Sequence, residues 1–250
     1  MKKINLLLLL ITVFTLSLNT RLNAQEEETS SDDQPATFSL SGSVDSYFRN
    51  SFSEQAAAPG SSFADLPGFA LGMANAIISY EGEKSGFVAD IVFGPRGSNA
   101  VFNSVGNSSE IVNQLYVYYN VSDNFTLTLG NFNTFLGYEV ISPVANFNYS
   151  TSYMFSYGPF SHTGIKADFS LSEDVSLMLA IMNQTDETEA NYMGTTTFGA
   201  QLGLFGQYIN YLGGEDYNQI DFTGGFDLSD SFFLGINATA ASLAGDQGFA

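Results

Sequence analysis

The chain has 250 residues, with 7 Lys+Arg against 26 Asp+Glu, a formal net charge of −19, one His and no Cys. That balance excludes a nucleic-acid binder working through phosphate contacts. The missing thiols and the single imidazole exclude disulfide scaffolds, thiolate or multi-histidine metal sites and cysteine nucleophiles. Charged residues are only 13% of the chain, while Gly (24), Tyr (13) and Phe (23) abound. The scarcity of Lys, Arg and Glu favours an all-β chain over a helical one.

Residues 1–24 have the form of a secretory signal. Lys2 and Lys3 precede an apolar run from Leu6 to Leu18, and Leu22-Asn23-Ala24 offers a cleavage site before Gln25. The run is shorter than the ~20 residues a spanning helix needs, which argues against a membrane anchor. Removing it takes Lys2, Lys3 and Arg21 and no acid, leaving 4 basic residues against 26 acidic ones. Residues 25–36 are acidic and lack large apolar side chains, so they read as a solvated, disordered lead-in.

From Thr37 the dominant period is two. Phe125, Leu127 and Leu129 alternate with Thr126, Thr128 and Gly130, and Val175, Leu177, Leu179 and Ile181 alternate with Ser176, Met178, Ala180 and Met182. This pattern predicts strands with one apolar and one polar or small face over 37–49, 69–80, 86–94, 111–121, 125–133, 163–171, 175–183, 196–204, 207–213, 218–228 and 231–241. Tight turns recur at Ser122-Asp123-Asn124, Ser172-Glu173-Asp174, Phe205-Gly206 and Ser229-Asp230-Ser231, and long segments lie between them at 50–68, 95–110, 134–162 and 184–195. Alternating short and long connections describe an up-and-down meander.

Two environments suit such strands. A soluble sheet turns its apolar face inward and its charged face to water; an outer-membrane barrel turns its apolar face to lipid and lines a wet lumen with the other. The polar face here is Ser, Thr, Gly, Asn and Gln with isolated Asp. Strand lengths match the ~9–11 tilted residues that cross the hydrocarbon. Aromatics such as Phe48, Phe69, Tyr80, Tyr118, Tyr119, Phe232 and Phe233 gather near strand ends, where interfacial girdles form. The reading is a transmembrane antiparallel β-barrel, with a secreted soluble β-protein as the alternative.

Residues 130–170 carry a more specific pattern: Gly130-Asn131-Phe132, Gly137-Tyr138-Glu139, Asn148-Tyr149-Ser150-Thr151-Ser152-Tyr153 and Phe160-Ser161-His162-Thr163-Gly164. This stretch resembles the central signature of the OmpL-like β-barrel porins of Bacteroidota and related Gram-negative bacteria. Thr197 to Leu202 and Tyr211 to Gly214 are similar too. The resemblance implies an outer-membrane channel, with 134–162 as a loop at or in the pore. It implies as partners outer-membrane lipid and lipopolysaccharide, the barrel-assembly machinery and small hydrophilic solutes, and it leaves a homo-oligomer open.

The end departs from the usual barrel. Leu243 to Ala250 reads as a loop opening after an eleventh strand, not as an aromatic-terminated closing strand. An odd strand count is unusual for a bacterial single-chain barrel, and a closed porin has ~16 strands. The expectation is therefore a fragment, about eleven strands of sixteen.

Loop 134–162 is too long for an ordinary connection. Its Tyr138, Glu139, Tyr149, Tyr153 and His162 are candidate constriction residues: the tyrosines could stack on sugar-like solutes and the carboxylate set local charge, against the plainer reading of a loop packed at the rim. Asp90, Lys166, Asp168, Asp221 and Asp227 fall on polar strand faces and are candidate lumen charges that would give a weak cation preference. The acidic run Asp186-Glu187-Thr188-Glu189 reads as a solvated loop. Ser161 and His162 are neighbours on a strand and point to opposite faces, and the chain has no Gly-x-Ser-x-Gly elbow, so hydrolysis is not expected. No cofactor, metal or nucleic-acid partner is expected. The function expected is a porin passing small hydrophilic solutes by passive diffusion, with a non-conducting interaction barrel as the alternative.

Overall fold

The computed structural model describes residues 36–52, 65–101, 109–215, 217–243 and 246–249. The signal segment, nearly all of the acidic lead-in and Asp216 lie outside the described residues. Among the described residues twelve antiparallel strands follow one another in a single sheet, in the order β1 to β12 without a crossover. They are β1 (Thr37–Arg49), β2 (Gly68–Glu81), β3 (Ser85–Phe93), β4 (Val112–Ser122), β5 (Phe125–Asn133), β6 (Ser161–Ser170), β7 (Val175–Met182), β8 (Thr197–Leu204), β9 (Gln207–Gly213), β10 (Tyr217–Ser229), β11 (Phe232–Leu243) and β12 (Asp246–Phe249). Among the described residues β1 and β12 do not pair, so the sheet is open between them. β12 corrects one expectation: Asp246–Phe249 pairs with Ala240 to Leu243 of β11 where a loop was expected. Among the described residues no helix is long and apolar enough to cross a membrane.

Alternation sorts the side chains by face. Across the cross-strand rows Leu129↔Ile165↔Ile181↔Phe198 the apolar groups point outward and stay between 42% and 54% exposed. The opposite face holds Asn75, Asp90, Thr128, Asn210, Gln219 and Asp221, all buried. This inverts the soluble-sheet arrangement, in which apolar rows would be the buried ones. Where β8 turns into β9, Phe205 (φ 52) and Gly206 (φ 77) are both left-handed, and Leu204 pairs with Gln207. That is the two-residue turn whose twist matches a hairpin.

The long connections carry structure that periodicity did not reveal. After β3 comes a short helix, α1 (Pro95–Ala100); the β5–β6 loop holds a 3-10 turn (Pro143–Ala145) and a helical turn, α2 (Tyr153–Ser156). The buried apolar core sits between that loop and the sheet's inner face. One cluster joins Met73, Val92, Ala100 and Val101 to Ile141 and Phe160; another joins Phe132 and Leu136 to Met178, Met182 and Leu212.

Candidate functional site

Residues 134–160, here the strap, lie across the inner face. At one end the Gly137 amide donates to Asp221 Oδ1 on β10 (3.0 Å), and Gln201 on β8 donates through Nε2 to the Phe135 carbonyl (3.0 Å). At the other, the Tyr149 hydroxyl donates to Asp45 Oδ2 on β1 (2.5 Å). Glu139 links the strap's two limbs, accepting from the Ser152 amide (2.8 Å) and from the Ser152 hydroxyl. On a flat sheet the nine strand spacings from β1 to β10 would span roughly 43 Å at ~4.8 Å each. The path Gly137–Glu139–Ser152–Tyr149 bends at Gly137–Tyr138 and at Tyr149–Ser150 and falls short of that, so the sheet curves around the strap and its polar face is concave.

Each tether follows from local chain geometry. The β1–β2 register shifts between Val44 and Ser46. The bulge presents Asp45 to the inner face, where Oδ1 also accepts the Met73 amide at 2.8 Å. Asp221 is 2% exposed; besides Gly137 it accepts Asn210 Nδ2 (2.8 Å), Asn237 Nδ2 (2.6 Å) and the Thr223 hydroxyl (3.1 Å). A carboxylate so surrounded by donors has its oxygens satisfied without an ion partner. Asp90, 4% exposed, accepts in the same manner from Asn75 Nδ2 (3.2 Å) and Asn113 Nδ2 (2.7 Å).

Arg96 of α1 is the residue the sequence reading missed. It is fully buried, donates to the carbonyls of Ile141 (3.4 Å) and Tyr149 (3.2 Å), and sets its guanidinium 5.0 Å from the centre of the Tyr149 ring. The available signal was scarcity: it is one of four basic residues outside the signal segment. Burial and the hydrogen bond to Asp45 push the Tyr149 phenol up to about 12, so it stays a donor across the physiological range.

The other candidates occupy distinct places. Tyr138 and Tyr153 are exposed on the strap, while Glu139 is buried; burial, with the Glu139 charge beside it, raises the Tyr138 phenol. His162 is fully buried, its Nε2 3.0 Å from the Thr134 hydroxyl and its ring 5.1 Å from that of Phe135. It packs the strap's root against β6. Lys166 and Asp168 form an ion pair at 2.6 Å on the inner wall. Asp227 lies exposed near the tight-turn end of β10.

The acidic loop after β7 departs from expectation. Asp186 is half-buried and committed to the backbone: its Oδ1 accepts the amides of Phe160 (2.7 Å) and Ser161 (3.0 Å), and burial raises its carboxyl above the usual range despite those bonds. Glu187 is buried as well and accepts the Met193 amide (3.1 Å). Asp186 thereby clamps the strap's exit at the start of β6, while Glu187 ties down its own loop.

Beneath the strap the inner face of β4 to β8 encloses a cavity of about 460 Å³, bordered by Tyr116, Tyr118, Thr126, Lys166, Asp168 and Gln201. A β-meander with an apolar outer face, an amide-rich concave face and one long loop folded inward is built like a barrel wall that turns its apolar side outward. The chain belongs to the family described as "Putative beta-barrel porin-2, OmpL-like", whose profile matches residues 37–248. No curated protein matches it. Membership implies a channel role in the outer membrane rather than an enzymatic one.

Proposed function

We propose that the protein is a porin through which small hydrophilic solutes diffuse down their own gradients, with the strap as its constriction and a weak preference for cations. One observation carries the reading: the strap is tied to β1, β8 and β10 across the polar face, where a lumen would run. The charge preference rests on the excess of 26 acidic over 7 basic residues. On this reading residues 1–24 are the export signal, the assembly machinery inserts the barrel, and the long loops meet lipopolysaccharide.

The test is planar-bilayer recording on the purified protein. Discrete ion-permeable steps with a reversal potential displaced towards the cation are expected. An anion-selective channel would overturn the charge preference. A correctly inserted barrel with no steps would overturn the porin reading in favour of a non-conducting interaction barrel.

A further inference from the structure

We propose that the cavity beneath the strap is a binding subsite for a neutral polyhydroxylated solute of the sugar-ring class. The inference rests on the channel reading for the route by which such a solute arrives, and on the cavity itself for the chemistry. Its volume of about 460 Å³ falls in the range of small-molecule sites, ~300–1,000 Å³.

The shape comes from two neighbouring inward rows. Tyr116 pairs with Gly130, Gly130 with Gly164 and Gly164 with Met182, forming one inward row across β4 to β7. Tyr116 and Met182 lean over the two adjacent glycines, where a Cβ would lie 2.9 Å from Tyr116 Cβ and 2.9 Å from Met182 Cγ. The neighbouring row runs Tyr118↔Thr128↔Lys166↔Ala180, so an aromatic strip on β4 faces a polar floor on β5 and β6. A sugar ring has that same duality: weakly polar C–H faces that pack on aromatic rings, and an equator of hydroxyls that need donors and acceptors.

The polar groups suit hydroxyls better than ions. Lys166 and Asp168 neutralise each other at 2.6 Å, so the charged pair brings no net charge to the lining, yet it offers N–H donors and a carboxylate acceptor side by side. The Tyr116 and Tyr118 hydroxyls make no hydrogen bond within the described residues, leaving both open to a guest. Gln201 holds the roof in place, donating to both the Phe135 carbonyl and Asn210 Oδ1. An anion would have to compete with Asp168, and a cation with Lys166, each at the cost of that pair.

Two measurements test this, with glucose and maltose as neutral probes and gluconate and lysine as charged ones. Calorimetric titration of the detergent-solubilised protein needs no conduction, so its outcome stands apart from that of the porin reading. Saturable binding of the neutral probes is expected, weakened about tenfold, or ~1.4 kcal/mol, by Tyr118→Ala and by Asp168→Asn. Asp123→Asn, in an exposed turn, leaves it unchanged. In bilayers the same sugars block the current in a concentration-dependent way. No binding of either sugar to the folded protein, preference for a charged probe, or sugar binding indifferent to both cavity substitutions would overturn the proposal.

Discussion

The backbone amide of Gly137 donates to the side-chain carboxylate of Asp221 at 3.0 Å, joining positions 84 apart in sequence. This bond fastens the strap's entry limb to β10, and two amide side chains, Asn210 and Asn237, share the same carboxylate. Asp221→Ala takes the shared acceptor from four donors, at a cost of about 3 kcal/mol or more. The unfolding midpoint of the detergent-solubilised protein should fall accordingly, and single-channel conductance should rise as the strap loosens. An unchanged midpoint would show that the strap is held elsewhere.

Gly137 itself sits at φ +72°, and a Cβ there would lie 3.1 Å from Asn237 Oδ1. Gly137→Val is therefore strained in backbone and side chain alike, by roughly 1–2 kcal/mol for the left-handed conformation alone. It should reproduce the Asp221→Ala conductance change without touching the carboxylate. A Gly137→Val channel identical to wild type would contradict the assigned geometry.

Arg96 predicts a contrast between two conservative changes. Its planar guanidinium reaches two carbonyls while facing the Tyr149 ring, which a lysine ammonium cannot do together. Arg96→Lys should expose strap residues 140–150 to limited proteolysis at least as strongly as Tyr149→Phe, which removes only the bond to Asp45. Equal resistance in wild type and Arg96→Lys would mean that the guanidinium does not hold the strap.

Asp186 gives a pH dependence with a definite sign. Its folded pKa is raised above the ordinary 3.8, so the folded state binds more protons than the unfolded one above that pH. Stability from this group is complete below about 3.8 and is lost as pH rises through the folded pKa. Asp186→Asn keeps the acceptor for Phe160 and Ser161, tolerates the positive φ of 65° and removes the titration. Its unfolding midpoint should equal wild type in acid and exceed it at neutral pH. A variant less stable than wild type at neutral pH would contradict the assignment.

The strands were legible because their alternation has one cause, an apolar outer face, repeated in each of them. Thr37–Arg49, Phe125–Asn133 and Gln207–Gly213 fall where the pattern puts them, and the other eight expected strands shift by a residue or two at their ends. The interior of the strap was not legible. Asp45, Arg96 and Asp186 are polar residues in a bulge and in loops, and each is committed by a partner far along the chain: Tyr149, Ile141 and Phe160. Periodicity reports which face a residue occupies; it is silent on which distant amide a carboxylate meets. For the same reason Asp186-Glu187 looked like a solvated charge run, and Tyr118 looked like an interfacial aromatic before the register set it beside Thr128 on the inner face.

On the porin reading the exposed apolar rows face lipid and the polar face surrounds the lumen. Because the chain has no Cys, single cysteines carrying a small fluorophore can be placed one at a time at Ile165, Leu179, Thr126 and Ser176 of the protein reconstituted in bilayers. Lipid-borne quenchers should extinguish the probes at Ile165 and Leu179, while aqueous iodide should reach those at Thr126 and Ser176. Probes at Ile165 and Leu179 untouched by the lipid quenchers would contradict that reading.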